Sequence, residues 1–174
     1  LPQFNPRRDL KLEGLKDKDL IGIPWMLAFA LRADGWYLRQ DIVWQKPNPM
    51  PESVRDRCTK AHEYIFLLSK CPRYYFNVDA IKQPTIDGKT MKRKHSVWQV
   101  KTKPYKEAHF AVYPTELIEP CILAGSEPND IILDPFFGSG TTGQVALELG
   151  RNYLGCELHS DYQELIDRRL ALVK

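Results

Sequence analysis

Apolar residues recur at helical spacing from Asp19 to Ala33: Leu20, Ile23, Leu27, Ala30 and Leu31 share a side, and Asp34-Gly35 ends the pattern. Pro24 suits a first turn, which draws the start toward Gly22. The following stretch, GWYLRQDIVWQKP, sets Trp36, Leu38, Gln40, Ile42 and Trp44 against Tyr37, Arg39, Asp41 and Val43. That alternation predicts a strand stopped by Pro47. PNPMPESVRDR places three prolines in five residues and reads as a loop. HEYIFLLSK, residues 62 to 70, is a nearly continuous apolar run and predicts a buried strand. RYYFN suggests a further short strand, and 79 to 109 reads as irregular.

The last third is patterned more sharply. Thr115 to Ala124 predicts a helix with Thr115 as its cap, Ile118 and Ile122 on its buried side and Gly125 as its stop. DIILDP predicts a strand from Asp130 to Pro135, GSGTTGQVALELG a glycine-rich turn into a helix closed by Gly150, NYLGCEL a second strand, and Asp161 to Val173 a final helix. Strand, helix, strand in this order is a βαβ unit, so the fold class is α/β.

Composition excludes several classes. Among 174 residues, 43% are apolar and no window nears the roughly 18 apolar residues of a membrane span. The start, LPQFNPRRDLKLEG, lacks the build of a signal peptide. Cys58, Cys71, Cys121 and Cys156 form no Cys-x-x-Cys pair, which fits a reducing cytoplasm and no disulfide scaffold. Cys58 and His62 have no second pair at ligand spacing, so no metal site is expected; His62-Glu63 reads as a structural pair at a strand start.

Charge divides the chain. Residues 1 to 109 carry 21 Lys and Arg against 12 Asp and Glu, whereas residues 110 to 174 carry 4 against 10. A basic front suits a polyanion, and an acidic back suits a different ligand. The steepest run is 82 to 106, where Lys82, Lys89, Lys92, Arg93, Lys94, Lys101, Lys103 and Lys106 precede or follow Asp87. Trp98 and Tyr105 lie among them, and aromatic faces stack on bases.

The candidate chemistry sits in Asp134-Pro135-Phe136-Phe137-Gly138-Ser139-Gly140-Thr141-Thr142-Gly143, where a strand runs into a helix. As a phosphate loop it fails, because Gln144-Val145 stands where Lys-Ser/Thr is needed. As a dinucleotide fingerprint, Gly138, Gly140 and Gly143 match, and Glu157 is placed to hold a ribose. Yet Asp134 at the strand end would repel a pyrophosphate. S-adenosylmethionine removes that conflict: it has no phosphate, its ammonium suits Asp134, and its ribose hydroxyls suit Glu157.

DPFFGSGTT followed by GRNYLGCEL resembles the cofactor motif and acidic motif of the β-class DNA amino-methyltransferases, which methylate adenine N6 or cytosine N4. The segments from LIGIPWMLAFALRADGWYLRQDIVWQKPNPMPESVRDRCTKAHEYIFLLSK to HFAVYPTELIEPCILAG are similar to the family as well, so the resemblance covers about residues 19 to 170. It implies a single Rossmann-like methyltransferase domain over 1–174, with a mostly parallel sheet and helices on both faces. Residues 19–78 would be the target side, 79–109 a basic DNA-contacting or target-recognition remnant, and 110–174 the cofactor half. The implied cofactor residues are Phe110, Ala111, Asp134, Pro135, Phe136, Gly138, Gly140, Thr141 and Glu157. Double-stranded DNA is the implied partner, with phosphates held by 55–60 and 82–106, including Lys92, Arg93 and Lys94. Trp44, Lys46, Pro47 and Asn48 are candidates for the edge of the target pocket, Trp44 being equally suited to a core.

One departure stands out. The family's catalytic Asp/Ser/Asn-Pro-Pro-aromatic tetrapeptide is absent; Asn48-Pro49-Met50-Pro51 and Asp134-Pro135-Phe136-Phe137 each share only a dipeptide with it. In the family it precedes the IGIPW segment, so the sequence is expected to begin after it, and a second copy or that segment to complete the sheet. Two other readings stay open, a cofactor-binding and DNA-binding piece without catalysis and an NAD-dependent oxidoreductase. Adenine and cytosine also stay open, with the Ser form of the tetrapeptide expected in similar chains and favouring cytosine N4.

Overall fold

A computed structural model describes residues 14–103 and 112–173. The first helix, α1 (Ile23–Ala33), starts after Gly22, which caps it in the left-handed region at φ 77°. A side chain is strained there, which is why glycine stands at this start. Strand β1 (Tyr37–Gln45) pairs antiparallel with β2 (His62–Ser69), with a register shift between Leu38 and Gln40. Trp25 of α1 packs edge-on against Tyr64 and Phe66 of β2, at 5.2 Å and 4.9 Å between ring centroids. β2 is therefore partly covered, and most of its residues are half-buried rather than fully buried as its apolar run suggests.

RYYFN forms no strand. The chain there runs past the end of the next helix, Asn77 N–H donating to Ala124 O at 2.9 Å. Nor is 79–109 wholly irregular. Two-residue strands β3 (Gln83–Pro84) and β4 (Met91–Lys92) make a hairpin, and β5 (Val97–Gln99) lies parallel to β1. Three residues are too few to register as alternation, and their pairing is with a strand some fifty positions earlier.

In the second half, α2 (Thr115–Gly125) precedes β6 (Ile131–Asp134), α3 (Thr141–Glu148), β7 (Asn152–Gly155), a 3-10 turn (Ser160–Tyr162) and α4 (Gln163–Ala171). Thr115 is the first helical residue rather than the cap. Pro114 holds that place, and the Thr115 hydroxyl bonds Glu116. β6 and β7 are parallel and joined through α3. The architecture is thus α/β, with parallel β1–β5 and β6–β7 pairs and antiparallel β1–β2 and β3–β4 pairs.

Helix α2 serves both halves. Its Leu117 packs with Trp44 and Trp98, while Ile122 packs with Val145 and Ala146 of α3 and with Ile132 of β6. The other face of the β6–β7 pair carries exposed Ile131, Leu133 and Leu154. Buried Arg151 secures the turn between α3 and β7 to the end of α2, donating to Leu149 O at 2.6 Å and to Ser126 O at 2.9 Å.

Candidate cofactor and substrate site

Parallel pairing puts Asp134 opposite Gly155, so Asp134 and Glu157 stand at the same, carboxyl ends of neighbouring strands. Crevices at such strand ends are where open α/β sheets place ligands. Between these acids runs the glycine turn. Gly138 (φ 52°) has open space where a Cβ would lie, and Gly140 (φ 82°) caps α3. Gly138 N–H donates to Glu157 Oε2 at 2.8 Å, and His159 N–H to Oε1 at 2.9 Å. The His159 N–H holds the Glu157 carboxyl below the usual carboxylate range, against the opposing effect of burial and with a smaller contribution from the Gly138 N–H.

Asp134 is gripped on both oxygens. Oδ1 accepts from Phe136 N–H at 2.9 Å, while Oδ2 accepts from Thr142 Oγ1 at 2.5 Å and lies 3.2 Å from Tyr113 Oη. Tyr113 and Thr142 are themselves 2.5 Å apart. Burial pushes the Tyr113 phenol up to about 12, so it is a neutral donor at any ordinary pH. Neither Tyr113 nor Thr142 figures among the residues expected from sequence. The signal was slight: a phenol beside a helix start, and the second threonine of a Thr-Thr pair.

The other expected cofactor residues divide. Phe136 is almost fully exposed and Pro135 is exposed beside it, both free to meet a ligand. Thr141 is buried, and its hydroxyl accepts from buried Arg169 of α4. Gly143 serves packing: a Cβ there would lie 2.5 Å from Phe137 Cζ, and one on Gly155 2.5 Å from Phe137 Cδ2. The Phe137 ring thus occupies the room that two glycines leave, stacked on Tyr153 at 5.4 Å. Phe110 and Ala111 lie outside the described residues.

A cleft of about 1110 Å³ opens beside Asp134. Tyr113 and Thr142 line it together with Trp44, Lys46 and Asn48, so three of the four residues expected at the target pocket share one cavity with Asp134. Each also has structural work. Trp44 is buried, its Nε1–H donating to Val100 O at 2.8 Å, and Lys46 sits 4.5 Å above its ring while pairing with Glu63. Asn48 ties the proline loop to the segment after β5 through both ends of its amide, at 3.1 Å and 3.0 Å to the Thr102 backbone. Pro47 is exposed and is not part of the cleft lining. Lys92, Arg93 and Lys94 belong to the hairpin and its exit, away from the cleft lining; Lys94 lies 5.0 Å over Trp98.

Nothing in the 2.5–3.2 Å bonds around Asp134 calls for a phosphate. Two strand-end carboxylates, one half-buried and one exposed, suit a ligand with a cationic end and hydroxyl donors. This pair of acceptors fits S-adenosylmethionine on those grounds.

Comparison with known proteins agrees in kind. The sequence profile of a DNA methylase family, the N6 and N4 methyltransferases, matches residues 10–168. The Type II methyltransferase M.SmaI of Serratia marcescens is 57% identical over 159 residues, 91% of this chain and 54% of that protein. The Type II methyltransferase M.Cfr9I of Citrobacter freundii is 53% identical over 171 residues, 95% of this chain and 57% of that protein. The chain therefore spans a little over half the length of the curated relatives it matches. Among solved structures, the M1.HpyAVI–SAM complex superposes with a TM-score of 0.64 at 28% identity, over 87% of this chain and 72% of that one. PvuII DNA methyltransferase (cytosine-N4-specific) superposes at 0.73 with 20% identity, over 91% and 60%, a likeness of fold.

Proposed function

The chain belongs to the DNA methylase family of N6 and N4 methyltransferases, and on that premise we propose that it binds S-adenosylmethionine and serves methyl transfer to an exocyclic amino group of a base in DNA. The observation that carries this reading is the pair of acids, Asp134 and Glu157, at the carboxyl ends of paired parallel strands with the glycine turn between them. When bound, S-adenosylmethionine supplies an electrophilic methyl group on a sulfonium.

What the chain's own residues do follows from their chemistry. Asp134, oriented by Thr142 and Phe136 N–H, receives the ammonium of the methionine part. Glu157 accepts from the ribose hydroxyls with the lone pairs that Gly138 and His159 leave over, and Phe136 offers an exposed ring to the nucleoside. An anionic ligand would meet the Asp134 carboxylate first, which disfavours NAD. Trp44, Lys46 and Asn48 line the same cleft as Asp134, where a flipped base would be held. Transfer to an amino nitrogen is chiefly a matter of alignment, so walls that fix two ligands at one cavity are the chain's contribution. Lys89, Lys92 and Arg93 on the β3–β4 hairpin, and Arg55 and Lys60 in the proline loop, supply phosphate contacts. A family member that holds its target's amino group does so with the Pro-Pro tetrapeptide, which the 174 residues do not contain.

Calorimetric titration of S-adenosylmethionine and S-adenosylhomocysteine into the chain, with NAD as control, tests the reading. Saturable binding of the pair, lost in Asp134→Ala with the melting temperature kept, is the expected result. Binding of NAD in preference would overturn it.

A further inference from the structure

The oxygens of Tyr113, Thr142 and Asp134 close a triangle with edges of 2.5, 2.5 and 3.2 Å. A carboxylate has no hydrogen to give, so the three contacts share the two hydrogens of the hydroxyls. The 3.2 Å edge, from Tyr113 to Asp134, is longer than ordinary O–H···O bonds, and both short edges meet at Thr142. Thr142 O–H donates to Asp134 Oδ2, which leaves Tyr113 O–H to donate toward Thr142 Oγ1, its shorter contact, with Asp134 Oδ2 as a second and longer acceptor. Phe136 N–H takes the other carboxylate oxygen at 2.9 Å, so rotation of the carboxylate is blocked at both atoms.

We propose that Tyr113 is a positioning residue that acts through Thr142, setting the orientation in which Asp134 meets a ligand ammonium group. This rests on the cofactor reading above and adds to it a residue outside the glycine motif. The three groups come from separate parts of the fold: Asp134 ends β6, Thr142 lies in the first turn of α3, and Tyr113 lies in the segment before α2. The Tyr113 ring packs against the Trp44, Trp98 and Leu117 cluster while its hydroxyl reaches the second half. The wall of the target-side core is thereby linked to the acid by two hydrogen bonds in series. A hydroxyl that receives a hydrogen bond is also the better donor, so the Tyr113 bond strengthens the one Thr142 gives.

A ligand pair separates positioning from mere packing. S-adenosylhomocysteine and 5′-methylthioadenosine share a nucleoside, but only the first carries the amino acid that meets Asp134. Tyr113→Phe removes one oxygen and leaves the ring. The expected result is a loss of about fivefold to tenfold in affinity for S-adenosylhomocysteine, the size of one net hydrogen bond, with methylthioadenosine unchanged. Thr142→Val should do the same, Thr142→Ser should restore binding, and the double variant Tyr113→Phe/Thr142→Val should be no worse than the worse single change. Equal loss for both ligands in Tyr113→Phe, or no loss for either, would overturn the proposal. If the parent chain bound methylthioadenosine as tightly as S-adenosylhomocysteine, the assignment of the ammonium to Asp134 would itself fall, and the relay with it.

Discussion

Gly138 and Glu157 are joined by a 2.8 Å hydrogen bond from backbone N–H to carboxylate, so the turn after β6 and the acid after β7 are one unit. Glu157 fixes the loop as well as presenting a carboxylate at the strand end. Glu157→Gln keeps the size but removes the charge and leaves one acceptor oxygen for the two N–H groups of Gly138 and His159, and we expect a loss of roughly tenfold to a hundredfold in S-adenosylhomocysteine affinity. A carboxyl whose pKa is lowered in the folded protein stays charged, and remains a charged acceptor for a ligand, until the pH falls through that lowered value. Since the His159 and Gly138 N–H groups hold Glu157 low, the gap between parent and Glu157→Gln should persist down to the ordinary carboxylate range, about pH 4.3, and close only below it. Calorimetry at several pH values measures this.

Gly155→Ala should be costly without touching a ligand. Its Cβ would lie 2.5 Å from Phe137 Cδ2, closer than carbon atoms pack, and forced overpacking typically costs about 1–3 kcal/mol. Phe137→Ala empties the same space, at about 3–5 kcal/mol. The double variant should be less destabilised than the two singles together, because the alanine methyl then enters the room left by the ring. Urea unfolding of the four proteins gives the comparison.

Arg151 fastens two segments with a planar, multiply bonded group. Arg151→Lys retains the charge but cannot reach Leu149 O and Ser126 O together. A loss of about 2–3 kcal/mol is expected from the stranded carbonyl groups, read as a lower urea midpoint with unchanged slope.

Cys121 differs from the other cysteines. Burial raises its thiol to about 11, whereas Cys58, Cys71 and Cys156 are exposed. Alkylation by iodoacetamide at pH 8, followed by mass spectrometry, should modify those three well before Cys121, since the thiolate is the reacting form. Equal rates at all four would show that the α2 surface around Cys121 opens freely.

On the hairpin, Lys89→Ala and Arg93→Ala should weaken duplex DNA binding more at low salt than at high salt. Removing one cation from a phosphate lowers the slope of log affinity against log salt by about 0.9. Fluorescence anisotropy across a salt series reads it, and unchanged slopes would remove these two residues from the DNA surface.

Much of the second half was legible because its signals are local. Asp134, the glycine turn and Glu157 follow one another within 24 positions, and each strand or helix between them declares itself by its own periodicity. The helix start at Gly22 was legible for the same reason. Long-range relations were not. β5 owes its existence to β1, RYYFN owes its lack of pairing to the end of α2, and Tyr113 gains its role from a hydroxyl 29 positions later. Asn48, expected at a pocket edge, spends both ends of its amide on Thr102, a partner 54 positions away that no spacing rule announces.

The Phe137 ring changes what the glycine spacing means. Gly143 is the third letter of an apparent dinucleotide fingerprint, yet the space it vacates is filled by a phenyl group of the same loop. A pattern that biochemists read as the imprint of a pyrophosphate is, at this position, the imprint of an aromatic side chain wedged between a helix and a strand. Substituting that ring by a smaller residue would release the glycines from their constraint, so the phenyl group and the two glycines should drift through evolution only as a trio.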